Sequence, residues 1–227
     1  TISANLRKIK ENAAYILKAC DKHGVTLAAV TKVVCADVSV VQALVEAGVP
    51  MLADARALNL ARLPGGTPRL SLRLSDPLLA EETVREADYS LQSGMEATLA
   101  LGQAAEKLQK RHQVILMIDL GDLREGLYHR DFDRILATAQ AVKQQRFLEL
   151  AGTGTNLTCF GGILPDEHNM GVLLDITKRL REALDLPIPL ISGGNSSSLH
   201  LLFEGRLPQG INHLRVGEGL LLGMDTA

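Results

Sequence analysis

Tryptophan is absent from this chain, and aromatic residues make up only 3% of its 227 positions. A surface that stacks nucleic-acid bases needs more rings than this. Charge of one sign is also missing: 24 Lys and Arg stand against 26 Asp and Glu, for a net charge of -2. No basic field is available for nucleic acid or an anionic membrane, and neither is expected as a partner. Cysteine is sparse and odd in number, at Cys20, Cys35 and Cys159. No two of them have framework or ligand spacing, so they read as reduced thiols of a cytoplasmic protein. The six histidines show no ligand spacing either, and no metal site is expected. No apolar run reaches the roughly 20 residues that span a bilayer, and no signal peptide is visible. There is no P-loop and no Ser-His-Asp order, and Gly152-Thr153-Gly154 lacks the third glycine of a dinucleotide fingerprint.

Hydrophobic residues are plentiful at 46%, enough for one large core built from Leu, Val, Ile and Ala. The first segment carries Leu6, Ile9, Ala13, Ile16, Leu17 and Cys20 at helical spacing. Ser3 is placed to cap it and Gly24 to end it. Strands then alternate with amphipathic helices. The strands are expected near 25–32, 50–54, 69–74, 88–93, 113–120, 148–155, 188–193 and 211–216. The helices between them fall near 38–47, 55–62, 77–86, 94–110, 131–145, 168–184 and 196–204. Alternation of this kind implies parallel pairing through right-handed crossovers. Eight strands favour a closed (β/α)8 TIM barrel over a doubly wound open sheet. The chain reads as one domain, 1–227, with no linker and no terminal element after Met224, and as a piece of a longer protein.

Parallel strands share direction, so the residues at their C-terminal ends share one rim. Lys32 follows the first apolar run, and alternation puts it on the face of Ala28 and Val30. At a barrel mouth such a lysine is partly desolvated, which lowers its pKa and makes it nucleophilic toward an aldehyde. The commoner use of the residue is a surface lysine snorkelling at a strand end. After the seventh strand, Ile191-Ser192-Gly193-Gly194-Asn195-Ser196-Ser197-Ser198 offers glycines for close backbone approach and serines opening a helix. That is a phosphate-binding arrangement at the place where barrels commonly hold phosphate. Arg215-Val216-Gly217-Glu218-Gly219 ends the eighth strand and can complete the cradle. Arg215 should enter the mouth from below, sharing a face with His213, which reads as a satisfied inner-layer residue. The alternative for Arg215 is an ion pair with a carboxylate such as Glu218. Arg124, in Asp119-Leu120-Gly121-Asp122-Leu123-Arg124-Glu125-Gly126, could clamp a carboxylate. The commoner reading of that stretch is a solvated charged loop. Gly152-Thr153-Gly154-Thr155-Asn156 adds backbone approach and amide donors.

A Schiff-base lysine, a phosphate cradle and arginines between them suit pyridoxal 5′-phosphate. The constellation resembles the fold-type III pyridoxal phosphate enzymes, the alanine racemase family. Ala29-Val30-Thr31-Lys32-Val33-Val34-Cys35, the Asp119–Gly126 segment, Gly154-Thr155-Asn156-Leu157-Thr158-Cys159 and the Ile191–Ser198 segment look like its ornithine racemase branch. The resemblance implies an amino-acid racemase acting on ornithine or another basic amino acid, by proton abstraction and return at Cα. Lys32 would hold the cofactor and act as one base. Arg124 would contact the cofactor phenolate oxygen and the substrate carboxylate. Asn156 and Asn195 would stand on the cofactor wall, and Ser196 with the Gly217 and Glu218 N–H groups would bind phosphate. Arg215 would face the pyridine nitrogen; a group that only donates leaves that nitrogen unprotonated, so proton return prevails over transamination.

The resemblance also implies a homodimer whose second base, a tyrosine, comes from a C-terminal β domain of the partner. Three positions depart from the alanine racemase pattern: Ala36 replaces a tyrosine, Asn156 a histidine and Met117 a modified lysine that steadies the arginine. Tyr15, Tyr89 and Tyr128 hold no position that recommends them as the second base. Two other readings are compatible with these residues. One is a non-catalytic single-domain barrel that carries pyridoxal phosphate, and the other is a phosphosugar-binding barrel that leaves Lys32 without a task.

Overall fold

The structure is a computed structural model, and it describes residues 3–74, 76–158 and 162–223. Helix α1 (Leu6–His23) buries Ile9, Ala13, Ile16 and Cys20 along one stripe. Its cap is Asn5 rather than Ser3, because the Asn5 side chain accepts from the Lys8 N–H and fills one of the orphan donors of the first turn. Gly24, at φ 66, closes the helix in the left-handed region where a glycine is unstrained.

The chain then runs β1 (Thr26–Val30), α2 (Val38–Glu46), β2 (Met51–Asp54), α3 (Ala57–Leu60), β3 (Arg69–Ser71), α4 (Ala80–Glu86) and β4 (Tyr89–Gln92). It continues through α5 (Met95–Lys107), β5 (His112–Asp119), β6 (Leu127–Tyr128), α6 (Phe132–Gln144), β7 (Leu148–Gly154) and α7 (Glu167–Leu184). The last elements are β8 (Leu190–Ser192), α8 (Leu199–Phe203), β9 (His213–Val216) and α9 (Glu218–Leu222). Every pairing is parallel, in the order β4-β3-β2-β1-β9-β8-β7-β5, and β4 pairs with β5 from Tyr89↔Gln113 to Gln92↔Leu116. That last ladder closes the barrel and removes the two free edges that a doubly wound sheet would keep. The short strand β6 hangs outside the ring on β5, through Ile118↔Leu127 and Asp119↔Tyr128.

Alternation along the strands divides the apolar residues between two environments. Ala28, Val30, Met51, Ala53, Leu70, Leu91, Ile115 and Met117 fill the barrel. Leu27, Ala29, Leu52, Leu214 and Val216 face outward against the helices. The inward positions of β7 are glycines for a packing reason. A Cβ on Gly152 would lie 2.5 Å from the Leu190 carbonyl oxygen, and one on Gly154 would lie 3.1 Å from Ile115 Cγ2 and Met117 Sδ. The same holds for the glycine pair after β8. A Cβ on Gly193 would meet Ile211 Cγ2 at 2.4 Å, and Gly194, at φ +110, would meet Ser198 Oγ at 2.6 Å. These four glycines are therefore accounted for by close packing and a turn, where the sequence reading assigned them to ligand approach.

Three further expectations change. The first strand ends at Val30, not at residue 32, because Thr31 leaves extended geometry at ψ 0 and a 3-10 turn follows over Lys32–Val34. The serines after β8 form a 3-10 turn, Ser196–Ser198, and the α-helix proper begins at Leu199. Strand β6 and helix α9 were not foreseen; each is short, at two and five residues, below the length at which periodicity can be read. Cys159 and residues 224–227 lie outside the described residues. Among the described residues no helix is long and apolar enough to cross a membrane.

Gly126 ties β6 to the barrel. It sits at φ +116, and a Cβ there would lie 2.6 Å from the Asp119 backbone nitrogen. Gly126→Ala is expected to lower stability by at least about 1–3 kcal/mol, the cost of holding a side chain in that conformation. Urea unfolding monitored by circular dichroism measures this, and an unchanged midpoint would refute it.

Candidate active site

The C-terminal ends of the barrel strands surround a cavity of about 700 Å³. All eight residues singled out from the sequence line it: Lys32 after β1, Arg124 after β5, Asn156 after β7, Asn195 and Ser196 after β8, and Arg215, Gly217 and Glu218 at or just after the end of β9. Arg73, Glu125 and Thr158 line it too and were not foreseen.

Lys32 stands on a platform made by a buried carboxylate. Asp54, fully buried at the end of β2, accepts from Thr31 Oγ1 at 2.8 Å, from the Arg56 N–H at 3.0 Å and from Asn59 Nδ2 at 2.9 Å. The bond to Thr31 fixes the backbone one residue before the lysine. The Lys32 residue itself is exposed in the mouth. The partial desolvation expected of it is not found, because β1 stops two residues early and the side chain leaves from a turn above the rim. Ala36 is buried with the outer helices, so its position in the sequence does not bring it into the cavity.

Arg215 is only 2% exposed and forms the base of the cavity. Its Nη2 donates to the Thr155 carbonyl at 2.6 Å and to Asn156 Oδ1 at 2.7 Å, while Nη1 donates to Ser192 Oγ. Ser192 Oγ is also 2.7 Å from His213 Nδ1. Burial first, and then the neighbouring Arg215 charge, push the His213 pKa down to about 3. The imidazole is therefore neutral. The serine oxygen has two lone pairs and one hydrogen, so it can bond both the guanidinium and Nδ1. His213 is an inner-layer residue as expected, but only half satisfied: Nε2 has no partner among the described residues.

The other side of the wall carries the arginine loop. Asp119 Oδ1 accepts from the Gly121 N–H at 2.9 Å and the Leu123 N–H at 3.1 Å, which shapes the turn presenting Arg124. Arg124 borders the cavity rather than bulk solvent alone, and its Nε is 4.0 Å from Glu125 Oε2. Met117, where a modified lysine was considered, is buried inside the barrel. The carboxylate beside Arg124 comes instead from the next residue. Glu125 Oε1 in turn accepts from Asn156 Nδ2. Sequence reasoning missed Glu125, since a carboxylate next to an arginine in a charged loop is usually solvated.

At the opposite end, the N–H groups of Gly217 and Gly219 both point at Ser196 Oγ, each at 3.3 Å. Gly219 was not foreseen here; Glu218, foreseen as a phosphate donor through its N–H, lies between these two residues in sequence and lines the cavity. Asn195 braces this end: its Oδ1 accepts from the Ser197 N–H at 2.9 Å and Ser197 Oγ at 2.6 Å, and its Nδ2 donates to the Leu157 carbonyl at 3.1 Å. Among the described residues no tyrosine lines the cavity. Tyr15 packs on Phe203 outside the barrel, Tyr89 begins β4 at the far end, and Tyr128 lies on β6.

Two buried histidines make stability depend on pH. His112, buried against Ser90 outside the barrel, has its pKa pushed down to about 4, mainly by burial. Unfolded histidines bind protons from about pH 6.5 downward. The fold resists protonation to about pH 4 at His112 and about pH 3 at His213. Their contribution is therefore complete above pH 6.5 and is lost as pH falls, by about 1.4 kcal/mol per pH unit for each histidine. Urea midpoints at pH 7.5, 6 and 5 are expected to fall along this slope, and His213→Gln is expected to flatten it. A slope unchanged in that variant would count against the assignment.

Comparison with known proteins bears on the same residues. The family model for the alanine racemase N-terminal domain matches residues 4–224. Ornithine racemase of Acetoanaerobium sticklandii is 39% identical over 227 residues, and lysine racemase of Thermotoga maritima is 34% identical over 226. These matches cover 100% and 97% of this chain, which spans 64% and 62% of the two relatives. The solved structure of PipY from Synechococcus elongatus, determined without PLP, superposes with a TM-score of 0.73 at 17% identity, covering 92% of this chain and 99% of that one. The match runs through every barrel strand and every residue of the cavity wall, and the chain belongs to the alanine racemase N-terminal domain family.

Proposed function

We propose that this chain is the cofactor-binding barrel of a pyridoxal phosphate-dependent racemase acting on a basic amino acid such as ornithine. One observation carries the reading. A primary amine, a donor-only base and a hydroxyl fed by two backbone N–H groups converge on a single cavity with an arginine on its rim. The residues fit the cofactor. Ser196 Oγ accepts from the Gly217 and Gly219 N–H groups, which leaves its hydroxyl hydrogen to donate to a phosphate group in the cavity. The related ornithine and lysine racemases support the substrate class.

Pyridoxal phosphate supplies an electron sink that acidifies the Cα proton of an attached amino acid. The chain's own residues do the rest. Lys32 would hold the cofactor through its amine and, once the amine of an amino acid has displaced it from the aldehyde carbon, would take or return the proton on one face of Cα. Arg124 holds the substrate carboxylate with paired donors. Ser196 with the Gly217 and Glu218 N–H groups would hold the phosphate, Gly219 supports Ser196 from behind, and Asn195 keeps it in place. Arg215 presents only N–H donors and gives up no proton, so it favours a ring nitrogen without one.

The second base belongs, in this reading, to another copy of the protein, which dimerises over the mouth. Val33, Val38, Leu58, Leu78 and Leu123 are all exposed, and each lies on the connection or in the first helical turn that follows a barrel strand. Large exposed apolar residues gathered on one rim favour a covering partner. The exposed thiol of Cys35 fits a reducing, cytoplasmic setting. PipY, almost all of which is matched by this barrel, is an example of the fold as a single barrel, which leaves a second reading of this chain as a carrier that binds the cofactor without turnover.

Absorbance of the purified protein with pyridoxal phosphate, before and after borohydride, followed by mass mapping, is expected to place a fixed adduct on Lys32. Lys32→Ala is expected to fold and to lose the adduct. An adduct elsewhere, or none, would refute the cofactor reading. Racemisation of L-ornithine by the full-length protein separates the enzyme from the carrier: turnover supports the first, and adduct formation without turnover of any basic amino acid supports the second.

A further inference from the structure

The wall of the cavity contains a carboxylate that the reading above leaves without a task. Glu125 lies between the rim arginine and the segment after β7, its side chain only 11% exposed. Its two oxygens are engaged differently: Oε1 accepts from Asn156 Nδ2, and Oε2 faces Arg124 Nε at 4.0 Å. Its position is fixed from behind, because Gly126 packs directly on the Asp119 backbone of β5.

Asn156 is the informative neighbour. Its amide oxygen accepts from Arg215 Nη2 at 2.7 Å while its amide nitrogen donates to Glu125. A guanidinium can only donate and a carboxylate oxygen accepts, so one orientation of the amide satisfies both. Without the carboxylate, the nitrogen end has no acceptor there to choose it, and a flipped amide would turn an N–H toward the guanidinium. Glu125 thus faces both ends of the wall, with its charge 4.0 Å from Arg124 Nε and a hydrogen-bonded link to Arg215 through Asn156.

We propose that Glu125 is a positioning residue that orients Arg124 for a substrate carboxylate and, through Asn156, Arg215 for the cofactor ring. It replaces with a neighbouring side chain the support that Met117 cannot give. This inference rests on the pyridoxal phosphate reading.

The test uses the full-length protein and four variants: Glu125→Gln, Glu125→Ala, Asn156→Ala and the double alanine variant. The readouts are the dissociation constant for pyridoxal phosphate, by absorbance titration, and KM and kcat for L-ornithine. Glutamine keeps an oxygen for Asn156 but removes the charge beside Arg124. Glu125→Gln is therefore expected to raise KM about tenfold, with cofactor affinity and kcat within about threefold of the parent. Glu125→Ala is expected to weaken cofactor affinity as well. The double alanine variant is expected to bind cofactor no worse than the poorer single variant, because both remove one relay. An unchanged KM in Glu125→Gln, or losses of cofactor affinity that multiply in the double variant, would overturn the proposal. If the alanine variants do not fold, the split between KM and cofactor affinity in Glu125→Gln decides alone. A parent protein that takes up no cofactor would sink the cofactor reading and this proposal together, and that failure is told apart because it shows in the parent.

Discussion

A guanidinium at 2% exposure cannot be left short of acceptors, and much of the mouth of this barrel is arranged around that requirement. Arg215 enters from β9, and its partners come from two other places in the chain: Ser192 at the end of β8, and Thr155 and Asn156 just after β7. Three consecutive strand ends are thus held to one another by a single side chain. The same charge acts downward. Burial already disfavours a proton on His213, and Arg215 adds repulsion, so the imidazole stays neutral and Ser192 can lie between the two. A second positive charge at that depth would compete with the first for the same acceptors.

The barrel interior makes this arrangement possible by being narrow. Below the mouth, β7 carries glycine at both inward positions, because Leu190 crowds the place of a side chain on Gly152, and Ile115 and Met117 that on Gly154. Above them the inward residues turn polar, from Ser192 and Arg215 to Asn156. The change from apolar to polar along the strand direction sets the Arg215 base and the hydrogen-bonding wall of the cavity on an apolar layer. Rigid strands fix the wall, and the turns after them carry the groups that must meet a ligand.

The fold was legible because its signal is repeated. Eight apolar runs alternate with amphipathic helices, and each of the eight strands falls where its run predicts, within a few residues. The residues of the site were legible for a related reason: parallel strands deliver all their ends to one rim, so Lys32, Arg124 and Arg215 could be grouped without knowledge of any contact. What could not be read were features decided by a single competing bond. Asn5 takes the cap from Ser3 because its oxygen reaches the Lys8 N–H. Thr31 abandons the strand as its hydroxyl bonds Asp54, a residue 23 positions away. Glu125 has no pattern at all in sequence, because its partner Asn156 is brought to it only when β5 and β7 pair. The glycines misled for the opposite reason: each has a visible signature, but a missing Cβ can serve a neighbour's packing as well as a ligand, and only the distances distinguish the two.

The cavity divides into two halves that differ in exposure, and the division follows the chemistry. Arg215, Ser196 and Asn195 are buried or half-buried and tied to one another's neighbourhoods, which suits a group that stays bound. Lys32 and Arg124, the groups proposed to meet an amino acid, are exposed on the rim. Charged groups in open water interact weakly, and proton transfer at Cα gains from a site that excludes solvent. The described residues supply no such cover over the rim, while the apolar side chains ringing it offer a surface for one. A second copy seated on that ring would dry the exposed half and leave the buried half untouched. Under the proposed function, the barrel would fix cofactor affinity by itself, and catalytic competence would be a property of the assembled mouth.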